Sequence, residues 1–406
     1  MKFKFTPALP LVFTLAATVI FCLSATTSRW GFFGHRRINR MAVFTLPPEM
    51  GAFYKKHLEF ITEHAVDPDK RRYATKHEAV RHYIDIDHWD TYPFEQVPRN
   101  WVDALMQHTR LQVVNSRGDT LAFGLDTLAP DLEFLLFRDT IRSRSYGVNA
   151  RHYRNFFIEQ ILPQYYEDEW KVDCELLEEL FGKPIDCQQA FASEHFSEYG
   201  ILPYHLNKMQ ADLTTAFRQK NVQRILRLSA EMGHYIGDAH VPLHTTENYN
   251  GQLTGQVGIH AFWESRLPEL FADKRYDFFV GPATYWERPD EVFWKTVLAS
   301  HVLVDSVLQI EKRLSLQFPQ DQQYCYEDRL DQTIRTQCEA YAEAYDKAMG
   351  SMVEDRMRAA ILAVGSSWFT AWVNAGQPDL RRLELDIPVV VDLPPPDPQI
   401  KGRVHE

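Results

Sequence analysis

The sequence predicts an all-α fold, a multi-helix domain with further helical elaborations. Two observations predict it. Apolar residues recur at three- and four-residue steps over residues 206–218, 222–237, 293–316 and 340–372, the stripe that lets a helix bury one face. Alternation of period two, which marks a half-buried strand, is confined to short stretches near 112–114 and 388–391.

In chain order, residues 1–28 read as a signal peptide: Lys2 and Lys4, an apolar run from Leu9 to Leu23, then Ser24, Ala25, Thr26 and Thr27. A catalytic domain is expected over 29–384. Turn formers and charge mark 91–100, 115–120 and 143–149 as loops within it. Pro203 suits the first turn of the helix that continues through 206–218. Residues 385–406, with Pro388, Pro394, Pro395, Pro396 and Pro398, read as an extended tail. No later run of 18 apolar residues exists, so no transmembrane helix is expected in the mature chain, and the expected location is secreted or periplasmic.

The 26 Phe, 18 Tyr and 9 Trp suit a large aromatic interior, and stripes such as Tyr285, Trp286, Phe293 and Trp294 read as core. A net charge of -11 excludes the basic footprint of a protein that grips long duplex DNA. Beyond Cys22, four cysteines remain, and export favours their oxidation. Four ordinary buried thiols are the competing reading and three connectivities are open; equal steps of 13 positions favour Cys174 with Cys187 and Cys325 with Cys338.

The chemistry concentrates in residues 234–264. His234 and Asp238 are four apart, so a helix sets them on one face, and His260 with Glu264 repeats the arrangement. His240 and His244 lie between the pairs. Imidazole and carboxylate without thiolate are the ligands of hydrolytic rather than structural zinc. Upstream, His35 follows an aromatic-glycine turn, and Asp67, Asp69 and the run from Arg81 to His88 add oxygen and imidazole donors. A lone histidine is ordinarily a hydrogen-bonded group, and a single His/Asp pair is an ordinary surface feature; the weight rests on their joint presence.

In order and approximate spacing, Trp30, His35, Asp67, His82, His234, Asp238, His244, His260 and Glu264 resemble the superfamily of bacterial zinc-dependent phospholipases C and fungal zinc-dependent single-strand nucleases. The resemblance covers roughly residues 30–90 and 200–300. It implies three zinc ions. Asp67, His82 and His234 would hold one; His244, His260 and Glu264 a second; His35 with the amino group and carbonyl of Trp30 the third. Asp238 would bridge two of them, and His240 would bind none. Asp67 is the expected general base, with Asp69 competing for the early acid role.

The resemblance implies hydrolysis of a phosphodiester, phospholipid or single-stranded nucleic acid, by a metal-activated water. Cations in pairs acidify a shared water, and a third stabilises the departing oxygen. Tyr83 and Asp85 resemble the nuclease branch, where an aromatic stacks on a base and an acid bonds its edge; buried core is the competing reading. Glu264 and its short step from His244 look more like the phospholipase branch. Arg29 stands before Trp30, where signal peptidases prefer small residues, so cleavage after Ala25, Thr27 or Ser28 would leave a short extension on Trp30. The alternative expectation is a secreted zinc-binding or interaction protein with a degenerate, inactive cluster.

Overall fold

The computed structural model describes residues 32–125, 134–139, 145–329, 332–383, 393–400 and 403. The signal segment, Trp30 and the strand candidate near 388–391 lie outside them.

Most of the chain is helical, but the all-α expectation is corrected by two antiparallel sheets. The first has six strands, β1 (Thr109–Val114), β2 (Thr120–Leu125), β3 (Phe134–Asp139), β4 (Ser145–Asn149), β5 (Trp170–Val172) and β6 (Gln189–Glu194), in the order β4-β3-β2-β1-β6-β5. In β1 the inward residues Leu111 and Val113 pair with Phe123 and Leu121 on one side and with Ala192 and Ala190 on the other. The expected loop 115–120 is the turn between β1 and β2, closed by Asn115 N–H donating to the Asp119 carbonyl at 3.0 Å. The expected loop 143–149 instead contains β4. A second hairpin joins β7 (Tyr324–Arg329) to β8 (Gln332–Gln337).

These strands escape periodicity for physical reasons. Gln189–Glu194 reads QAFASE, poor in β-branched residues, and Phe134–Asp139 reads FLLFRD, without clean alternation. Their pairing is supplied by non-local neighbours rather than intrinsic preference. Each sheet has one of the expected disulfides beside it. Cys174–Cys187 ties the helix Cys174–Phe181 to the lead-in of β6, and Cys325–Cys338 closes the hairpin.

Seven helices build the body around the site: α1 (Phe32–Ala42), α2 (Leu202–Arg218), α3 (Val222–Ala239), α4 (Pro289–His301), α5 (Val304–Ser315), α6 (Glu339–Met349) and α7 (Met352–Asn374). The stripe 293–316 is split between α4 and α5, and 340–372 between α6 and α7, where Gly350 adopts φ +65°. Asn221 caps α3 by accepting from Arg224 N–H at 3.0 Å. Inside the core, Trp368 of α7 donates to the Ser229 carbonyl of α3 at 3.1 Å and stacks on Tyr54 with ring centroids 5.0 Å apart. Gln210 of α2 and Ser367 of α7 exchange two hydrogen bonds, of 3.1 and 2.8 Å. No described helix is long and apolar enough to cross a membrane.

Candidate metal centre

Helix α3 is the spine of the site. Its 3.6-residue turn stacks His234 and Asp238 on one buried face, and α1 lies across that face. Two glycines allow the close crossing. A Cβ on Gly233 would meet Asn39 Oδ1 at 1.9 Å, and one on Gly237 would meet His35 Nδ1 at 2.9 Å. Asn39 donates to the Ala230 carbonyl at 2.9 Å, which fixes α1 so that His35 stacks on His234 with centroids 3.8 Å apart.

The remaining donors arrive from four short elements, one of them the helix Asp67–Lys70 that carries Asp69. His82 ends a turn, and its carbonyl accepts from His244 Nδ1 at 2.6 Å, while Ile84 N–H donates to the His244 carbonyl at 2.9 Å. This reciprocal link ties the upstream segment to the short 3-10 turn Pro242–Thr245. His260 begins a helical run, and Glu264 lies in its π-wound turn Phe262–Arg266.

Donor atoms gather into three groups: His35, His234 and Asp238; Asp69, His82 and His234; and His244, His260 and Glu264. His234 belongs to two of them, and Asp238 reaches histidines of all three. Its Oδ2 is 2.9 Å from His82 Nδ1 and 3.3 Å from His234 Nε2, and its Oδ1 is 3.4 Å from His35 Nε2 and 3.9 Å from His244 Nε2. Glu264 stands 2.7 Å from His260 Nε2, 3.3 Å from His244 Nε2 and 3.3 Å from His35 Nε2.

The tautomers suit cations. His234 Nδ1 faces the Ala65 carbonyl at 2.9 Å, His244 Nδ1 the His82 carbonyl, and His260 Nδ1 the Tyr249 carbonyl at 3.2 Å. A carbonyl only accepts, so each Nδ1 carries the proton and each Nε2 presents its lone pair to the cluster. Lone pairs facing carboxylate oxygens repel unless a positive charge lies between them. Asp238 Oδ1, which faces the cluster, is buried with no hydrogen-bond partner among the described residues, as expected of an oxygen shaped for a cation.

Burial and neighbouring charge divide the donors' protonation states. Burial, with positive Arg72 nearby, holds His82 well below its ordinary value; burial does the same to His234, and brings His244 to about 4. All three are therefore neutral ligands at pH 7. Burial lowers His35 too, but its bond to Glu264 and the charge of Asp238 overcome this and raise it to about 9. Burial pushes Asp238 well above the carboxylate range, while Glu264, despite its burial, is held well below it by His244, His260 and His35.

The early acid is placed differently from expectation. Asp67 turns away and is bonded to His64 Nδ1 at 2.5 Å and Lys70 Nζ at 2.8 Å. Asp69 faces the cluster, its Oδ1 3.7 Å from His234 Nε2 and 3.8 Å from His82 Nδ1. Sequence reasoning missed Arg72, which sits 3.2 Å from Asp69 Oδ1 with its Nε buried and unpartnered among the described residues. Its spacing of three from Asp69 on a helical turn was the available signal. Tyr83 and Asp85 are both buried beside His82; burial raises Asp85 to about 6, against the lowering charge of Arg403.

His240 belongs to none of the groups. Its Nδ1 faces the Ile236 carbonyl at 2.7 Å, and burial, helped by Arg356, lowers it to about 3. The unfolded chain binds this proton below pH 6.5 and the folded chain does not, so stability is lost as pH falls. At pH 4.5 the loss from His240 is about 3 kcal/mol. Urea titrations with chelator at pH 7 and 4.5 are expected to show a smaller acid loss for His240→Gln than for the unsubstituted chain.

Comparison with known proteins found no matching family model, no matching curated protein and no matching solved structure. Clusters of His, Asp and Glu able to hold several metal ions, in a largely helical domain, are what define this chain as a candidate metal-dependent hydrolase.

Proposed function

We propose that this chain is an exported zinc-dependent phosphodiesterase, with His35, Asp69, His82, His234, Asp238, His244, His260 and Glu264 as the ligands of up to three ions. The observation that carries this reading is that His234 belongs to two of the groups and that the Asp238 carboxylate lies 2.9 to 3.9 Å from histidines of all three. Zinc bound there would supply Lewis acidity and a water acidic enough to lose its proton near neutral pH. Export rests on residues 1–28 alone.

The chain's own groups support the reaction class. Asp69, whose Oδ1 is 3.7 Å from His234 Nε2, would accept a proton at the edge of the cluster, the role expected of Asp67. Arg72, always charged and paired with Asp69 at 3.2 Å, suits a phosphoryl oxygen as negative charge grows on it. Arg72→Met is expected to lower kcat about 10²-fold with zinc content unchanged, measured by steady-state kinetics and metal analysis. Loss of zinc in that variant would make Arg72 a structural partner of Asp69 instead.

Tyr83 and Asp85 support single-stranded nucleic acid over phospholipid, because an aromatic face next to a buried carboxylate suits a planar ring with edge donors. A side-by-side assay on single-stranded DNA, RNA and phosphatidylcholine vesicles, with zinc and with chelator, tests this. Chelator-sensitive cleavage of the nucleic acids is the expected outcome; activity that survives chelation contradicts the reading.

A further inference from the structure

The C-terminal tail returns to the metal centre. Asp397 N–H donates to the Tyr73 carbonyl at 2.7 Å, and the Tyr73 hydroxyl donates to the Arg403 carbonyl at 3.3 Å, so the tail is moored at two points on the segment that leads from Arg72. Between these moorings and the cluster, the Arg403 guanidinium lies 3.3 Å from the Tyr83 ring centroid and 4.5 Å from that of Tyr249, and it is ion-paired to Asp85. Most of this side chain is covered.

Both tyrosines are linked through the backbone to histidines of the donor groups. Tyr83 follows His82 in the chain, and the Tyr249 carbonyl accepts from His260 Nδ1. Arg403 therefore packs on residues that adjoin two of the donor histidines, His82 and His260. Its features are those of a base in such a pocket: planar, stacked on aromatic faces, and donating in-plane N–H groups to a carboxylate. The other oxygen of Asp85 has no partner among the described residues, so the pocket keeps an acceptor that one guanidinium does not satisfy.

We propose that residues 393–400 and Arg403 form an autoinhibitory strap in which Arg403 occupies, as a surrogate, the pocket that receives a nucleobase of the substrate. This rests on the phosphodiesterase reading of the site. A strap seated nine-tenths of the time leaves one-tenth of the molecules competent, which raises the apparent KM about tenfold and leaves kcat alone. A competitor acting by mass action behaves this way; a residue that builds the site does not.

The test compares the zinc-loaded full chain with Arg403→Ala and with a chain ending at residue 392, on a single-stranded DNA oligonucleotide. Both changes are expected to lower KM about tenfold with kcat within about twofold. A synthetic peptide of residues 393–406 added to the shortened chain is expected to raise KM again, and the same peptide carrying Arg403→Ala is not. Unchanged or increased KM in both variants overturns the strap. If no form cleaves DNA, the phosphodiesterase reading fails, and calorimetric binding of deoxyadenosine 5′-monophosphate decides the strap separately. Binding about tenfold tighter to Arg403→Ala supports it, and equal binding overturns it.

Discussion

Asp238→Asn is expected to remove phosphodiester turnover by on the order of 10³-fold or more and to lower the zinc content of the purified protein. Both carboxylate oxygens of Asp238 face histidine nitrogens from four separate segments, at 2.9 to 3.9 Å. Asparagine keeps the size but removes the negative charge and turns an N–H donor toward donor atoms that need a cation. One substitution thus removes a donor from one group and alters the charge facing histidines of the other two. The change is charge without volume, so the helical body is expected to remain folded by circular dichroism. Full activity with full zinc in Asp238→Asn would refute the assignment of a shared acid.

The second large effect separates two acids that stand two positions apart. Asp69→Ala is expected to cost about 10²-fold or more in kcat and to weaken one zinc site, because it removes a donor from the group with His82 and His234. Asp67→Ala is expected to keep the zinc and most of the turnover while losing about 1–2 kcal/mol of stability. The figure is modest because the partners His64 and Lys70 are partly exposed. Burial would raise Asp67, but those two partners hold its carboxyl below the usual range. Its contribution is therefore present above the unfolded pKa and lost as pH falls through the folded one, so the two chains are expected to converge in stability in acid. Zinc analysis, kinetics and urea unfolding on the pair decide it; the reverse pattern would restore Asp67 to the site.

What the sequence revealed and what it hid follow from distance along the chain. The pairs His234 with Asp238 and His260 with Glu264 were legible because a helix repeats every 3.6 residues, and both pairs meet in the structure. Asp67 and Asp69 could not be separated, since both lie on one short helix, Asp67–Lys70, and only its rotation decides which acid faces α3. Two residues differ by about 200° around a helix, so the wrong choice points away from the site. Strands β2 to β6 were hidden because their pairing draws on neighbours rather than on composition. Arg403 and Asp85, 318 positions apart, share no local pattern at all.

Metal analysis of the purified, folded chain tests the central claim most directly. Three zinc ions per chain are expected, removable by chelator and restored on adding zinc, with the third sensitive to how the chain is processed ahead of Phe32. Fewer than two would contradict the account and leave a metal-poor binding protein in its place.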